Sequence, residues 1–184
     1  MALDEVQTMT LEAFADTIIP GEKRHPDDHA IAGVSEGGGA VVAGAIEVLE
    51  HSASGVAAGL PYLAQNLNNH AQNYAQEQGI TLDDSLPAFV ALSYEDRAEV
   101  VAILTKPGHP EKDGWVLLAL FSNMAFDIAP HKNTIEALEE GHPGLLAIGL
   151  TKPDPDGLWR FPDFGYGRQL AKSRPDTTPS GSPA

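Results

Sequence analysis

The sequence predicts an all-α fold: an irregular helical bundle with long loops and an extended C-terminal arm rich in aromatic residues and proline. Three observations carry that reading. Apolar residues recur at helical spacing, i, i+3, i+4 and i+7, in successive segments of the chain. No half of the chain is rich in strand-like segments, and neither βαβ order nor an internal repeat is present. The 18 glycines and 14 prolines among 184 residues cut the chain into short segments joined by irregular connections.

Thr10 is placed to cap a first helix in which Leu11, Phe14, Ala15 and Ile18 share one face, and Pro20-Gly21 ends it. Residues 21–39 combine charge, proline and three consecutive glycines without a sustained period, and read as a long connector. Residues 40–50 read as a buried helix by their Ala, Val, Ile and Leu content, with the Ala40 to Gly44 spacing suited to close approach of a neighbouring helix. Leu60, Leu63, Leu67, Ala71 and Tyr74 mark an amphipathic helix over about 61–78 that stops at Gly79. Leu86, Phe89 and Leu92 lead into Ser93-Tyr94-Glu95-Asp96, a serine with an acid three residues on, which predicts a capped helix to about Leu104. Trp115, Leu118, Ala119, Ser122 and Phe126 outline a helix over about 111–127, apolar enough to be the central one. Asn133 or Thr134 caps one more short helix before Gly141-His142-Pro143.

After Leu150 the string TKPDPDGLWRFPDFGYGRQL has no helical period, and SRPDTTPSGSPA has the composition of a disordered tail. The expected organisation is one helical domain over residues 1–170, including a docking arm at about 151–170, and a disordered tail over 171–184.

Eleven basic residues against 26 acidic ones leave a net charge of −15, which repels nucleic-acid phosphates and anionic lipid surfaces. No uninterrupted apolar run approaches the ~20 residues of a membrane span, so no membrane insertion is expected. The lack of cysteine removes disulfides, thiolate metal sites and thiol nucleophiles together. The opening MALDEVQTMT is acidic where a signal peptide is basic, so the expected location is the cytoplasm, or export with a partner that carries the signal.

The clearest polar cluster is His25-Pro26-Asp27-Asp28-His29, and the imidazoles of His25 and His29 with the Asp28 carboxylate are ligand types that can converge on a transition metal. A histidine pair four apart chelates well when a regular helix aligns it, whereas Pro26 favours extended backbone at His25. The expectation is therefore no metal, and a connector in which Asp27 or Asp28 caps a short helical turn through Ala30 and Val34. Gly37-Gly38-Gly39 lacks the Lys-Ser/Thr ending and the preceding strand of a phosphate-binding loop. No G-x-S-x-G nucleophile elbow occurs. His25, His109 and His142 precede proline and read as caps or surface rings, and His70 as a satisfied, partly buried ring. No catalytic residue and no cofactor is assigned to this chain. Trp159, Phe161, Phe164 and Tyr166 fall within eight residues, and either pack on the chain's own core or dock on a partner.

Leu11-Glu12-Ala13-Phe14-Ala15-Asp16-Thr17-Ile18-Ile19-Pro20 with the glycine-bearing loop behind it, Phe89-x-x-Leu92-Ser93-x-x-x-Arg97, and the string from Trp159 to Gly167 follow one another over most of residues 8–170. In that order and spacing the chain resembles the gluconate 2-dehydrogenase subunit 3-like family. The resemblance implies a small helical accessory subunit, itself non-catalytic, that binds and stabilises or matures a larger FAD-dependent oxidoreductase of the glucose-methanol-choline type. It also implies an alcohol or sugar-like substrate and places FAD on the larger partner. The sequence holds no dinucleotide-binding fingerprint of its own. Two other readings stay open: a metal-dependent enzyme using His25, Asp28 and His29, and a helical homodimer that exchanges its aromatic arm.

Overall fold

Asp4, not Thr10, caps the first helix. In the computed structural model, which describes residues 3–157, α1 (Glu5–Ile18) starts where the Asp4 carboxylate accepts the Gln7 N–H at 2.7 Å and Gln7 Oε1 accepts the Asp4 N–H at 3.1 Å. This reciprocal pairing satisfies two of the donors a helix start leaves open. Thr10 lies fully buried inside the helix, where its hydroxyl donates to the Val6 carbonyl and accepts from Asn68 Nδ2 at 3.0 Å. The hydroxyl that suggested a cap instead ties this helix to a later one.

Residues 21–39 form the expected connector without a helix. The helix expected over 40–50 is shorter: residues 40–44 form a turn, and α2 (Ala45–Glu50) begins only after Gly44, whose φ of 93° lies in the left-handed region and interrupts helical backbone. Two short 3-10 turns, Ser52–Ser54 and Ala57–Gly59, lead into α3 (Leu60–Gln78), which agrees with the sequence and stops at Gly79. A single turn of helix, α4 (Ala88–Ala91), was not anticipated, being too short to show a period. The next helix, α5 (Tyr94–Thr105), has the expected cap: Ser93 Oγ accepts the Asp96 N–H and donates to the Asp96 carboxylate at 2.6 Å. It is followed by α6 (Lys112–Ile128) and by α7 (Thr134–Glu139), where Asn133 Oδ1 accepts the Ile135 N–H at 2.9 Å. A last short helix, α8 (Pro143–Ala147), was also not anticipated; His142 Nδ1 caps it by accepting the Leu145 N–H.

The described residues thus hold eight α-helices and no strand. Helix α6 is central, touching α1, α2, α5 and α8, while α1 packs on α3, α4 and α5. Phe14 and Trp115, both fully buried, meet with ring centroids 6.2 Å apart, and Leu11, Leu67, Phe89, Leu104 and Leu118 complete the centre of the same core. Burying side chains of this size stabilises by about 1.5–3 kcal/mol each, which lets short helices with modest propensity persist. The α6 to α8 contact is close enough that a Cβ on Gly144 would fall 1.8 Å from the Phe126 carbonyl oxygen.

The chain divides into two units, Met1–Gly149 and Leu150–Ala184. In the second, the described residues include a tight turn closed by the Gly157 N–H donating to the Asp154 carbonyl. The expected docking residues Trp159, Phe161, Phe164 and Tyr166, and the expected tail over 171–184, lie outside the described residues. Among the described residues no helix is long and apolar enough to cross a membrane.

Candidate functional site

The HPDDH stretch is built around an arginine the sequence did not single out. Asp28, almost fully buried, accepts from Arg24 Nε at 2.8 Å, Arg24 Nη2 at 3.2 Å and the Ile31 N–H at 3.3 Å. The same guanidinium forks onto Glu12 of α1 at 2.9 and 3.0 Å. Burial pushes the Asp28 carboxyl up, but the Arg24 hydrogen bonds and charge outweigh it and hold the group below the usual carboxylate range. Asp28 is therefore the anchor of an ion-paired loop. It caps a turn at Ile31, as one sequence reading had it, but no helix follows through Ala30 and Val34. His25 and His29 border a polar basin of about 480 Å³ with Glu12, Arg24 and Asp27. Among the described residues no three His, Asp or Glu side chains are grouped to hold a metal ion.

Behind this loop, two charged side chains that sequence reasoning gave no role are buried. Asp16 accepts the Gly21 N–H at 3.0 Å and the Ala32 N–H at 2.8 Å, clamping the start and the middle of the connector to α1. Burial raises its pKa against the pull of those two donors. Arg97, on α5, donates to the carbonyl oxygens of Leu92, Ala30, His29 and Val90 at 2.6–3.2 Å, and burial lowers its pKa. The available signal for Arg97 was its place inside the Phe89 to Arg97 motif.

His70 is the satisfied ring the sequence suggested. Its Nε2 meets Glu111 Oε2 at 2.8 Å, and the same carboxylate accepts from Asn66 Nδ2 at 2.8 Å and Trp115 Nε1 at 3.2 Å. These bonds, His70 foremost, hold Glu111 below the usual carboxylate range. The group joins the middle of α3 to the start of α6. His51, His109 and His142 each accept a nearby backbone N–H through Nδ1, the capping role expected of His109 and His142.

The outward side of α6 carries the feature without a structural explanation inside the fold. Val116, Leu117, Leu120 and Ile128 are 39%, 40%, 47% and 56% exposed, and with the half-buried Met124 they recur along one side of the helix. The opposite side holds Trp115, Leu118, Ser122 and Ala125, all buried. A helix apolar on both sides is characteristic of one covered on both sides. Near its C-terminal end, Phe121 and Met124 join Val48, His51 and His131 around a pocket of about 230 Å³.

Fold and surface together define an acidic chain whose described residues form a helical domain with one apolar helix side exposed. The chain belongs to a family of unknown function (DUF5987), whose profile matches residues 5–184. No curated protein matches the chain, and no solved structure does.

Proposed function

We propose that this chain is a non-catalytic accessory subunit that binds a larger FAD-dependent oxidoreductase acting on an alcohol or sugar-like substrate, and stabilises or matures it. The observation that carries the docking role is α6, buried on one side and lined with exposed Val116, Leu117, Leu120 and Ile128 on the other. Apolar surface arranged in a row along one helix is the signature of a protein–protein contact. The flavoprotein identity of the partner rests on the sequence resemblance over residues 8–170, and FAD belongs to that partner. A net charge of −15 favours a partner with basic residues around its own apolar contact. Trp159, Phe161, Phe164 and Tyr166 form a second set of anchors in this reading.

The test is co-expression of the full chain with the proteins encoded in the neighbouring reading frames, capture of the chain, and measurement of flavin absorbance in the captured material. The parent chain retains flavoprotein. Leu117→Asp/Leu120→Asp weakens capture by roughly tenfold or more, and so do Trp159→Ala and Phe164→Ala. Absence of flavin with the parent chain sinks the functional reading. Undiminished capture by the aspartate variant sinks the α6 dock, and a homodimer that the variant splits into monomers assigns that side to a second copy.

A further inference from the structure

Two histidines fasten the chain that follows α6 to the turn that precedes α2. The His131 ring stands against Gly44, where a Cβ would lie 2.3 Å from Nε2. His142 Nε2 meets the Ala43 carbonyl oxygen at 3.0 Å, and its Nδ1 accepts the Leu145 N–H at 3.3 Å. Between the two histidines runs α7.

Both seats suit a neutral imidazole and not a protonated one. The His131 nitrogens are buried, and among the described residues neither has a hydrogen-bond partner. A protonated ring would hold two unpaired N–H groups and a charge away from water. At His142 a protonated Nδ1 would turn an N–H toward the Leu145 N–H, donor against donor, and the cap of α8 would be lost. The backbone adds to the same tendency. Ala129, buried and without the freedom of glycine, sits at φ 44° directly before Pro130, a left-handed conformation that packing has to hold in place.

The charged groups around His131 divide. Glu47 on α2 and Glu140 behind α7 favour its protonated form, whereas the adjacent Lys132 and His142 disfavour it. His51, after α2, lines the same pocket, to which α6 contributes the uncharged Phe121 and Met124. Burial outweighs the two carboxylates and holds the His131 pKa below its usual value. The core centred on Phe14 and Trp115 takes no side chain from residues 129–142, so this segment can open without it.

We propose that residues 129–142 form an acid-released latch: protonation of His131 and His142 frees the segment from Ala43 and Gly44 while the helical core stays folded. Histidine suits the device because its charge changes within the range of about pH 5 to 8. Release uncovers Val48, Phe121 and Met124, which share a pocket lining with Pro130 and His131. Met124 also belongs to the outward row of α6, so acid enlarges that apolar side whichever partner covers it.

The test is amide hydrogen exchange on the full chain by NMR, with each rate divided by the intrinsic rate at the same pH. Between about pH 7.5 and about pH 5, protection of the Ala137, His142 and Leu145 amides falls by roughly tenfold or more, since an opening that takes up one proton gains up to about tenfold per pH unit. Protection in α3 and α5 stays roughly tenfold or more above that of the segment at the lower pH. His131→Phe/His142→Asn, which keeps a ring in one seat and an N-cap in the other, retains the segment's protection at both pH values. His131→Leu alone removes the larger part of the response. The proposal is overturned if the parent segment keeps its protection at the lower pH, if segment and core share one protection level there as in a single global opening, or if either variant opens as the parent does.

Discussion

Arg97 Nη1 donates to the Ala30 carbonyl oxygen at 2.6 Å, joining α5 to the connector across 67 positions of sequence. Three further carbonyls, of His29, Val90 and Leu92, receive three more protons of the same guanidinium. The connector has no helix or sheet to absorb its backbone groups, so Arg97 from one side and Asp16 from the other provide that pairing. This is how a proline- and glycine-rich stretch stays attached to a helical core.

Replacing Arg97 should therefore be among the most damaging single changes. Arg97→Lys keeps the charge but offers one ammonium where a planar fork served four acceptors, and leaves buried carbonyls unpaired. The expected loss is about 2–4 kcal/mol in urea unfolding. Arg24→Lys, at a partly exposed guanidinium, should cost under about 1 kcal/mol. Equal losses at the two positions would show that the four carbonyl bonds are not what matters.

Asp28 gives the connector a dependence on acid. Its folded-state pKa lies below the unfolded value because Arg24 outweighs burial. Its contribution is thus present above about pH 4 and lost as the pH falls through the folded value. Asp28→Ala is expected to cost about 1–3 kcal/mol at neutral pH and to flatten the acid limb of the stability curve. Zinc should leave the thermal midpoint of the parent unchanged, because Arg24 already occupies this carboxylate. A zinc-induced rise that disappears in His25→Ala/His29→Ala would restore the metal reading.

His131 acts in a higher pH window. Burial lowers its pKa, assisted by Lys132 and His142 and opposed by Glu47 and Glu140. A histidine with a depressed folded pKa contributes fully above its unfolded value near 6.5. That contribution is lost as the pH falls toward the folded value, since the unfolded chain takes up the proton first. Stability should decline as the pH falls below about 6.5, and His131→Phe should reduce that slope. An unchanged slope in the variant would assign the decline to other groups.

Long periodic helices were legible in the sequence because their signals are local: α3, α5 and α6 follow from apolar spacing and from the Ser93 and Gly79 boundaries. The start of α1 was missed because the Thr10 hydroxyl is spent on Asn68, far away in sequence. One-turn helices such as α4 and α8 are too short to carry a period and exist through packing. The candidate surface was half visible. The apolar content of α6 was plain, but which of its residues face outward is decided by α1, α2, α5 and α8. His131 gave no signal at all, since its environment is assembled from α2, α6 and the turn at Ala129.

Gly44 tests that assembly most directly. The sequence suggested that its small size admits a neighbouring helix, whereas the neighbour is the His131 ring. Gly44→Ala introduces two separate penalties: a left-handed backbone at φ 93°, costing about 1–2 kcal/mol, and a Cβ 2.3 Å from Nε2, adding about 1–3 kcal/mol of overpacking. His131→Ala removes the second penalty but leaves the first. In a double-mutant cycle read by urea unfolding, Gly44→Ala should thus cost about 1 kcal/mol or more less in the His131→Ala background than in the parent. Full additivity would mean that the ring moves aside freely, and that Gly44 is required for its backbone conformation alone.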